Sequence, residues 1–149
     1  MRLKKREVKD FNKIVDMIDH CEVVRLGIIT DTVPYIVPVS FGYDVNEGKI
    51  TIYFHGAKEG RKYELMKMNP IVSVEFDSFL GYKVEDFGYT CQYECVMAQG
   101  KVEELTDKEE AMMKVMQHCG FSNFDHCTHL DRTALFQIEL ENISAKKRV

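Results

Sequence analysis

The sequence lacks several features that would define its class at once. It has no apolar run long enough to cross a lipid bilayer. No apolar segment follows the basic residues 1–6, so we expect no secretory signal. It has no glycine-rich dinucleotide fingerprint of the Rossmann type, no internal repeat and no low-complexity tract. These absences argue against a membrane or secreted protein and against a Rossmann-type cofactor domain.

The cysteines indicate a reducing compartment. There are five of them, an odd number, in a chain with no expected secretory signal: Cys21, Cys91, Cys95, Cys119 and Cys127. That usage is typical of reduced thiols, so we expect a cytoplasmic protein. Cys91 and Cys95 have strand spacing. They form either a redox pair or, as is more common, two buried free thiols.

Length and charge limit the remaining possibilities. The 149 residues predict one domain, residues 1–149, that can bury a core without a metal or disulfide. The net charge of −4 argues against nucleic acid as the main partner.

Helical spacing of apolar residues predicts three helices, at residues 10–21, 59–69 and 106–118. Asp10 is a suitable N-cap for the first, and Thr106 with Glu109 has the spacing of a capping box for the third. The methionines of the third helix, Met112, Met113 and Met116, are interpreted as core rather than as ligands.

The other segments predict a mostly antiparallel β-barrel of the mainly β (α+β) class with two or three peripheral helices. Pro38 within a strand indicates a sheet edge, a bulge or a ligand-facing side, and Gly100 indicates a bulge or bend. We expect a hairpin turn at 46–49, long loops at 77–92 and 121–131, and a frayed basic tail at 145–149. The predicted strands are residues 23–29, 35–43, 50–55, 71–76, 93–105 and 134–138, the last continuing towards 143.

Residues 53–62, with the sequence YFHGAKEGRK, have the composition of an anion site. A strand leads into a glycine-containing turn, and the next helix would direct its N-terminus at the same place. Arg61 and Lys62 add two cations, and the arginine fork suits a phosphate. The alternative is a hairpin exit with solvated basic residues.

A succession of segments resembles a known family. These are RLGI at 25–28, PYIVPVSFGY at 34–43, YFHGA at 53–57 and GRK at 60–62. Together with the strand entry at Asn69-Pro70 and residues 93–104, they resemble the nitroimidazole-resistance (Nim-type) branch of the pyridoxamine phosphate oxidase-like flavoproteins. No single segment is specific, but their order and spacing span nearly the whole chain.

This resemblance implies a split β-barrel that forms a homodimer, with a flavin at the dimer interface, usually FMN and possibly FAD. The flavin phosphate would lie at Ala57, Gly60, Arg61 and Lys62. The isoalloxazine ring would lie along the second strand, against Val37, Pro38, Val39 and Ser40. His55 would lie at the reaction site as a candidate proton donor, or would only hydrogen-bond the strand end or the phosphate.

The sequence departs from the family at two positions. Gly56 stands where serine is common, which widens the pocket or frees the backbone. Cys95 stands where the later strand often has serine, and a thiol is a weaker hydrogen-bonding group than a hydroxyl.

A second group of polar residues comprises His118, Cys119, His126, Cys127 and His129. Their spacing is not the usual one for zinc, so we expect no metal there. The alternatives are a helix end with a polar loop, or residues that line the pocket of the partner subunit. Residues 79–93 are rich in aromatic side chains that would stack on a ligand ring, cover the barrel mouth or belong to the core.

The resulting hypothesis is a flavin-dependent reductase of small nitro-aromatic or related compounds, with an external or transiently bound nicotinamide donor. The alternatives are a flavin store or sensor without turnover, and a haem protein with His55 or a loop histidine as axial ligand. Oxidation of pyridoxamine phosphate itself fits less well because the chain is short.

Overall fold

The computed structural model describes residues 3–86, 88–122 and 130–149, and these form nine strands and three α-helices. A 3₁₀ turn at Lys4–Arg6 precedes the first strand. The strands are β1 Glu7–Val8, β2 Val23–Ile28, β3 Tyr35–Ser40, β4 Gly42–Asn46, β5 Lys49–Ala57, β6 Ile71–Glu85, β7 Gly88–Glu104, β8 Thr133–Glu139 and β9 Glu141–Arg148. The helices are α1 Phe11–Asp19, α2 Arg61–Met68 and α3 Glu109–His118.

All strand pairs are antiparallel, in the order β3-β2-β6-β7-β8-β5-β4, and β9 pairs with both β7 and β1. The two end strands, β3 and β4, do not pair with each other, so the barrel is split rather than closed. Only Phe41 separates β3 from β4 in the chain. The predicted strand at 35–43 is therefore two strands, and fully buried Phe41 crosses the split.

The core lies inside this split barrel. Fully buried Phe41, Phe54 and Phe76 are among its largest side chains. The Phe41 and Phe76 rings meet edge to face with centroids 5.2 Å apart, and Phe54 stacks on Phe136 at 5.1 Å. Such ring pairs add to the stabilisation from apolar burial.

The helices cover the barrel with their apolar faces. Helix α1 buries Ile14, Met17 and Ile18, and the Asp10 carboxylate caps it by accepting a hydrogen bond from the Lys13 N–H at 3.2 Å, as predicted. Helix α3 buries Met112, so the interpretation of its methionines as core holds there, although Met113 is exposed. No helix in the described ranges is long and apolar enough to cross a membrane.

The turn prediction at 46–49 is confirmed. Glu47 and Gly48 have positive φ angles of 49° and 77° between β4 and β5. Two central residues with positive φ match the twist of the flanking strands, which is why such turns are common in hairpins.

The loop prediction at 77–92 is wrong. These residues are the outer part of a long hairpin formed by β6 and β7. The register shifts between Phe79 and Gly81, so Leu80 interrupts the alternation along β6. Beyond the bulge Tyr82 is exposed to 75% and Tyr89 to 83%, so these two side chains do not belong to the core.

Two predicted termini are also wrong. Helix α3 begins at Glu109 after Lys108, with no side-chain cap, so Thr106 and Glu109 form no capping box. The tail does not fray, because β9 pairs with β1 and β7 as far as Arg148. The chain bends before β9 at Leu140, whose N–H bonds to the Ile50 carbonyl at 2.8 Å.

Candidate functional site

The predicted anion turn lies between β5 and α2. Gly60 is the N-cap of α2 with φ 98° and ψ 170°, a conformation that favours glycine. No side chain caps this helix end, and a Cβ on Gly60 would meet no atom within 4 Å. The N-terminus of α2 therefore has no side-chain cap and has free space beside Gly60, and the positive end of the helix dipole favours an anion there.

Lys62 lies directly over the backbone of β5. A Cβ built on Gly56 would stand 3.1 Å from Lys62 Nζ and 3.2 Å from its Cε. Glycine at position 56 thus leaves room for the lysine side chain. Burial lowers the pKa of Lys62, since the protein removes water from its ammonium group. Neither Lys62 nor Arg61 forms an ion pair with a described residue, so both charges are free to meet an external anion.

His55 shares this environment. It is exposed on β5, one residue before Gly56. Its pKa is lowered from the usual value, first by loss of water around the ring and second by the positive charge of Lys62. An anion bound to Lys62 would oppose the second effect and favour the protonated imidazole.

The Arg61 side chain links the turn to β3. Its guanidinium carbon lies 4.8 Å from the centroid of the Tyr35 ring, within the range of a cation–π contact. Tyr35 begins β3, the strand of the predicted ring-binding residues Val37, Pro38, Val39 and Ser40. The structure therefore joins the two predicted halves of the site through this contact.

Strand β3 has one free edge. Among the described strands it lies at the end of the sheet and pairs with β2 alone, which agrees with the edge expected from Pro38. Along the strand Val39 is buried and Val37 partly buried, while Pro38 and Ser40 are exposed. The exposed face and free edge leave backbone and side chains of β3 accessible to a ligand.

Sequence reasoning missed two cations beside the turn. Lys58 donates to the Asp131 carbonyl at 2.6 Å, and Lys108 donates to the carbonyls of Leu130 and Thr133 at 2.9 and 2.6 Å. Burial, then the charge of Lys58, lowers the pKa of Lys108. Lys58 could have been included because it lies within the motif, but no sequence signal connects Lys108 to it.

Of the histidine and cysteine group, His118 packs in the fold, whereas Cys119 is exposed. The His118 ring is largely buried against Phe41 with centroids 4.4 Å apart, and its Nε2 lies 2.7 Å from the Cys21 carbonyl. Among the described residues no group of three metal-binding side chains exists. His126, Cys127 and His129 lie outside the described residues.

The two strand cysteines do not form a redox pair. Four residues along a strand separate Cys91 from Cys95 by roughly 13 Å, too far for a disulfide. Cys91 is exposed rather than buried. Burial first, and then the charge of Glu75, raises the pKa of half-buried Cys95 to about 11, which keeps its thiol protonated near neutral pH.

The fold and the basic turn together define a split-barrel protein of the pyridoxamine phosphate oxidase class. The family described as pyridoxamine 5′-phosphate oxidase matches residues 10–147, and the chain belongs to it. The resemblance inferred from the sequence is thereby confirmed. No curated protein matches the chain.

Three solved structures show the same fold. A candidate 5-nitroimidazole antibiotic resistance protein from Bacteroides thetaiotaomicron is 26% identical, with 95% of this chain and 86% of that chain covered and a TM-score of 0.79. The flavocytochrome Anf3 of Azotobacter vinelandii is 18% identical, with 100% and 72% covered and a TM-score of 0.76. An FAD-binding protein of Mesorhizobium loti is 22% identical, with 97% and 98% covered and a TM-score of 0.69.

Proposed function

We propose that this protein is a homodimeric, cytoplasmic flavoprotein that binds FMN and reduces small nitro-aromatic compounds. The observation that carries the proposal is the uncapped N-terminus of α2 with two unpaired cations, Arg61 and Lys62, joined by Tyr35 to the free-edged strand β3. Similarity to a candidate nitroimidazole resistance protein and to flavin-binding split barrels supports this choice of ligand and substrate.

The residues present fit the proposed cofactor. Ala57, Gly60, Arg61 and Lys62 would hold a terminal phosphate, with the helix N–H groups and the arginine fork as donors. A terminal monophosphate concentrates up to two negative charges on one phosphate group, whereas each bridging phosphate of FAD carries one, so we propose FMN for a site built around a single helix end. The exposed edge formed by Val37, Pro38, Val39 and Ser40 would lie against the ring. A bound flavin would supply the electron transfer, and the protein supplies orientation and electrostatics.

His55 is the proposed proton donor. It is exposed beside Lys62, so a phosphate on the lysine would raise the fraction of His55 that is protonated at neutral pH. An imidazolium near the ring edge can give its proton to a nitro oxygen as that group accepts electrons. We expect His55→Gln to lower nitro-dependent turnover much more than FMN affinity. Equal losses in both would assign His55 to binding instead.

The proposed dimer would cover several exposed apolar side chains. On the outer side of β3 and β6 these include Ile36, exposed to 65%, Ile71, exposed to 51%, and Phe79, exposed to 59%. Three polar residues separate Ile71 from Phe79 on this side of β6, and a mixed surface of this kind is common in protein interfaces. Sedimentation of the wild type should give a dimer and Ile36→Lys a monomer. A monomeric wild type that binds FMN fully would remove the dimer from the proposal.

The first experiment is a visible absorption titration of the purified protein with FMN. We expect a perturbed flavin spectrum. Each lost charge-assisted phosphate bond costs roughly 1.5–3 kcal/mol, so Arg61→Ala with Lys62→Ala should weaken FMN binding by about 100-fold or more. The matched control is Lys4→Ala with Lys5→Ala, which removes two adjacent charges from the N-terminal turn. Riboflavin, which has no phosphate, should bind both variants alike.

Two results would redirect the proposal. If added FMN leaves the spectrum unchanged, or if the control double variant loses as much affinity, the turn is not a phosphate site. A Soret band in the purified protein would favour haem. Turnover is tested separately under anaerobic conditions. If a nitroimidazole reoxidises the reduced protein no faster than it reoxidises free reduced FMN, the protein is a flavin store or sensor.

A further inference from the structure

The outer part of the β6–β7 hairpin extends beyond the rest of the sheet as a two-stranded arm. Among the described strands, β2 pairs with β6 from Val72 to Glu75, and β9 pairs with β7 no further out than Tyr93. Residues 81–85 and 88–92 therefore pair with each other alone. A hydrogen bond from Arg148 to Glu85, 3.0 Å long, links them to β9. Since a lone two-stranded hairpin is marginally stable in water, this arm, residues 79–86 and 88–92, lacks a covering surface.

The arm has one apolar face. Thr90 is buried on the inner side of β7, so Tyr89 beside it points to the outer side, together with its cross-strand partner Val84. Tyr82, two residues before Val84, shares that side, and its ring meets the Phe79 ring at a centroid distance of 5.0 Å. These four apolar side chains are 59–83% exposed. The described part of the chain thus leaves a continuous apolar surface uncovered.

A second apolar surface lies at the other end of the same outer face. Ile36 on β3 and Ile71 on β6 are exposed to 65% and 51%. Between these strands the outward residue of β2 is Gly27, where an added Cβ would meet Ser73 at ordinary distances of 3.6 and 3.7 Å. Because neighbouring strands lie about 4.8 Å apart, the two isoleucines flank a hollow about 10 Å wide with a glycine at its floor. We call Ile36, Gly27 and Ile71 the end patch.

The arm and the end patch cannot meet within one chain. From Ile71 to Tyr82, β6 spans about 35 Å at roughly 3.3 Å per residue. A twofold axis that lies between two stacked outer faces, perpendicular to β6, makes the two β6 strands antiparallel and puts each arm over the end patch of the other copy. The rings of the arm project and the end patch is hollow, which favours this pairing. Arm against arm would press rings on rings and leave both hollows empty.

The middle of the outer face suits a contact with its own copy. Arg25 forms ion pairs with Glu75 at 3.2 Å and with Asp77, and Lys146 lies opposite Cys95 in the register of β9 and β7. The charges of the two cations and the two carboxylates sum to zero. Two such faces therefore meet without net repulsion.

The exposed area is also large enough for a stable dimer. An aromatic side chain buries about 150–250 Å², so covering Phe79, Tyr82 and Tyr89 in proportion to their exposure removes roughly 300–500 Å² per arm. Each copy supplies one arm and one end patch, and the end patch loses a comparable area beneath the arm of the other copy. Together they approach the roughly 800 Å² per partner of a standard interface.

We propose that each copy of this protein lays its arm across the end patch of a second copy, in a twofold dimer with the outer faces stacked. The inference rests on the dimer of the proposed function and specifies its contacts. The rings of Tyr82 and Tyr89 fill the hollow over Gly27 and anchor the dimer. Each dimer therefore contains two identical arm–patch contacts.

The test is a mixture of two variants, Tyr82→Glu in the arm and Ile36→Lys in the end patch. In a homodimer of either variant both arm–patch contacts carry an unpaired charge in apolar surroundings, so the dimer dissociation constant should rise at least tenfold. In the mixed dimer one contact is wild type on both sides, and the other pairs glutamate with lysine. Sedimentation velocity and native mass spectrometry of an equimolar mixture should therefore show the heterodimer at concentrations where each variant alone is monomeric.

Two controls keep the test decisive. Both substituted side chains are exposed, so the variants should fold, as far-UV circular dichroism will check. Met113→Lys puts a charge on an exposed apolar residue of α3, which packs against β4 and β5, and should leave the dimer unchanged. A mixture of Tyr82→Glu with Tyr82→Lys should stay monomeric. A heterodimer in that mixture would place arm against arm and refute the inference.

A spin label provides an independent measurement. Cys91 is exposed on the arm as the cross-strand partner of Tyr82, and a chain with Cys119→Ser and Cys127→Ser allows its selective labelling. When this chain is mixed with an unlabelled ¹⁵N-enriched chain, the label should broaden the amide signals of the end patch in the ¹⁵N-enriched copy. Broadening confined to amides of the arm would overturn the inference.

The outcomes separate this inference from the proposed flavin chemistry. A wild type that stays monomeric refutes both the dimer and the arm–patch contact, whatever its flavin spectrum. A dimer that shows neither rescue by the glutamate–lysine pair nor broadening at the end patch refutes the arm–patch contact alone. Neither result depends on whether the protein binds FMN.

Discussion

The position of Lys62 over Gly56 gives a sharp test of the phosphate site. Because Gly56 has no positive φ, alanine can adopt its backbone conformation. The new Cβ would lie 3.1 Å from Lys62 Nζ and 3.2 Å from Cε, closer than an ordinary van der Waals contact of about 3.5–4 Å. The lysine end must therefore move by a few tenths of an ångström, and the flexible side chain can do so at little energetic cost.

Gly56→Ala should stabilise the fold slightly. Replacing a strand glycine by alanine stabilises by roughly 0.5–1 kcal/mol, and the displaced lysine offsets part of that gain. Affinity should respond more. If the displacement removes about 1 kcal/mol of a phosphate bond worth roughly 1.5–3 kcal/mol, FMN binding weakens about fivefold. Urea unfolding measures the first effect, and an FMN titration by flavin fluorescence measures the second.

A double-mutant cycle isolates the cause. In a Lys62→Met background there is no ammonium group to displace, so adding Gly56→Ala should leave FMN affinity unchanged. Gly27→Ala on β2 is the matched control, because its Cβ would meet only Ser73 at ordinary distances of 3.6 and 3.7 Å. If Gly56→Ala weakens binding by the same factor with and without Lys62, the reasoning about their contact is wrong.

Three further predictions concern the barrel and the site. Gly42→Ala should destabilise the fold by about 1–3 kcal/mol or more, because its Cβ would overlap backbone atoms of α3, and thermal unfolding should show this; an unchanged melting temperature would contradict it. The pKa of His55 is lowered from 6.5, so the unfolded chain binds the proton more readily and stability falls as pH drops through that value. Urea unfolding of His55→Gln should therefore show a smaller acid loss than the wild type, and equal losses would contradict the pKa shift. Tyr35→Leu removes the ring beneath Arg61 and should weaken FMN binding by about 0.5–1 kcal/mol, whereas an unchanged titration would show that the contact does not position the arginine.

Local patterns predicted the elements whose causes are local. Asp10 caps α1 by accepting a hydrogen bond from Lys13, three residues later in the chain. Glu47 and Gly48 close a hairpin because both adopt positive φ angles. The cause of the anion turn is also local. The end of β5, the N-cap Gly60 and the two cations Arg61 and Lys62 all lie within residues 53–62. Contiguity made these features visible without knowledge of the tertiary structure.

The errors arise where one residue changes the register or where the partner is distant. One bulged residue, Leu80, shifts the alternation of side chains along β6. Apolar side chains in the outer part of this strand, such as Tyr82 and Val84, are exposed, so the sequence there shows no two-residue alternation of apolar and polar residues. The tail after Ala145 is ordered only because β1 and β7 lie beside it. The cation–π contact of Tyr35 with Arg61 and the hydrogen bonds of Lys108 to the Leu130 and Thr133 carbonyls similarly depend on long-range packing.

The candidate site spans the split of the barrel. Strand β3 is the end strand on one side of the sheet. On the other side β4 is the end strand, and β5 lies beside it. Phe41 joins the two sides covalently, and the Arg61–Tyr35 contact joins them a second time at the anion turn. A ligand that touches both β3 and the turn would hold the two sides together, and such a ligand binds the folded chain but not the unfolded one. Such a ligand would therefore raise the unfolding free energy of the barrel increasingly as its concentration rises above its Kd, and the rise should be lost in variants that cannot bind it.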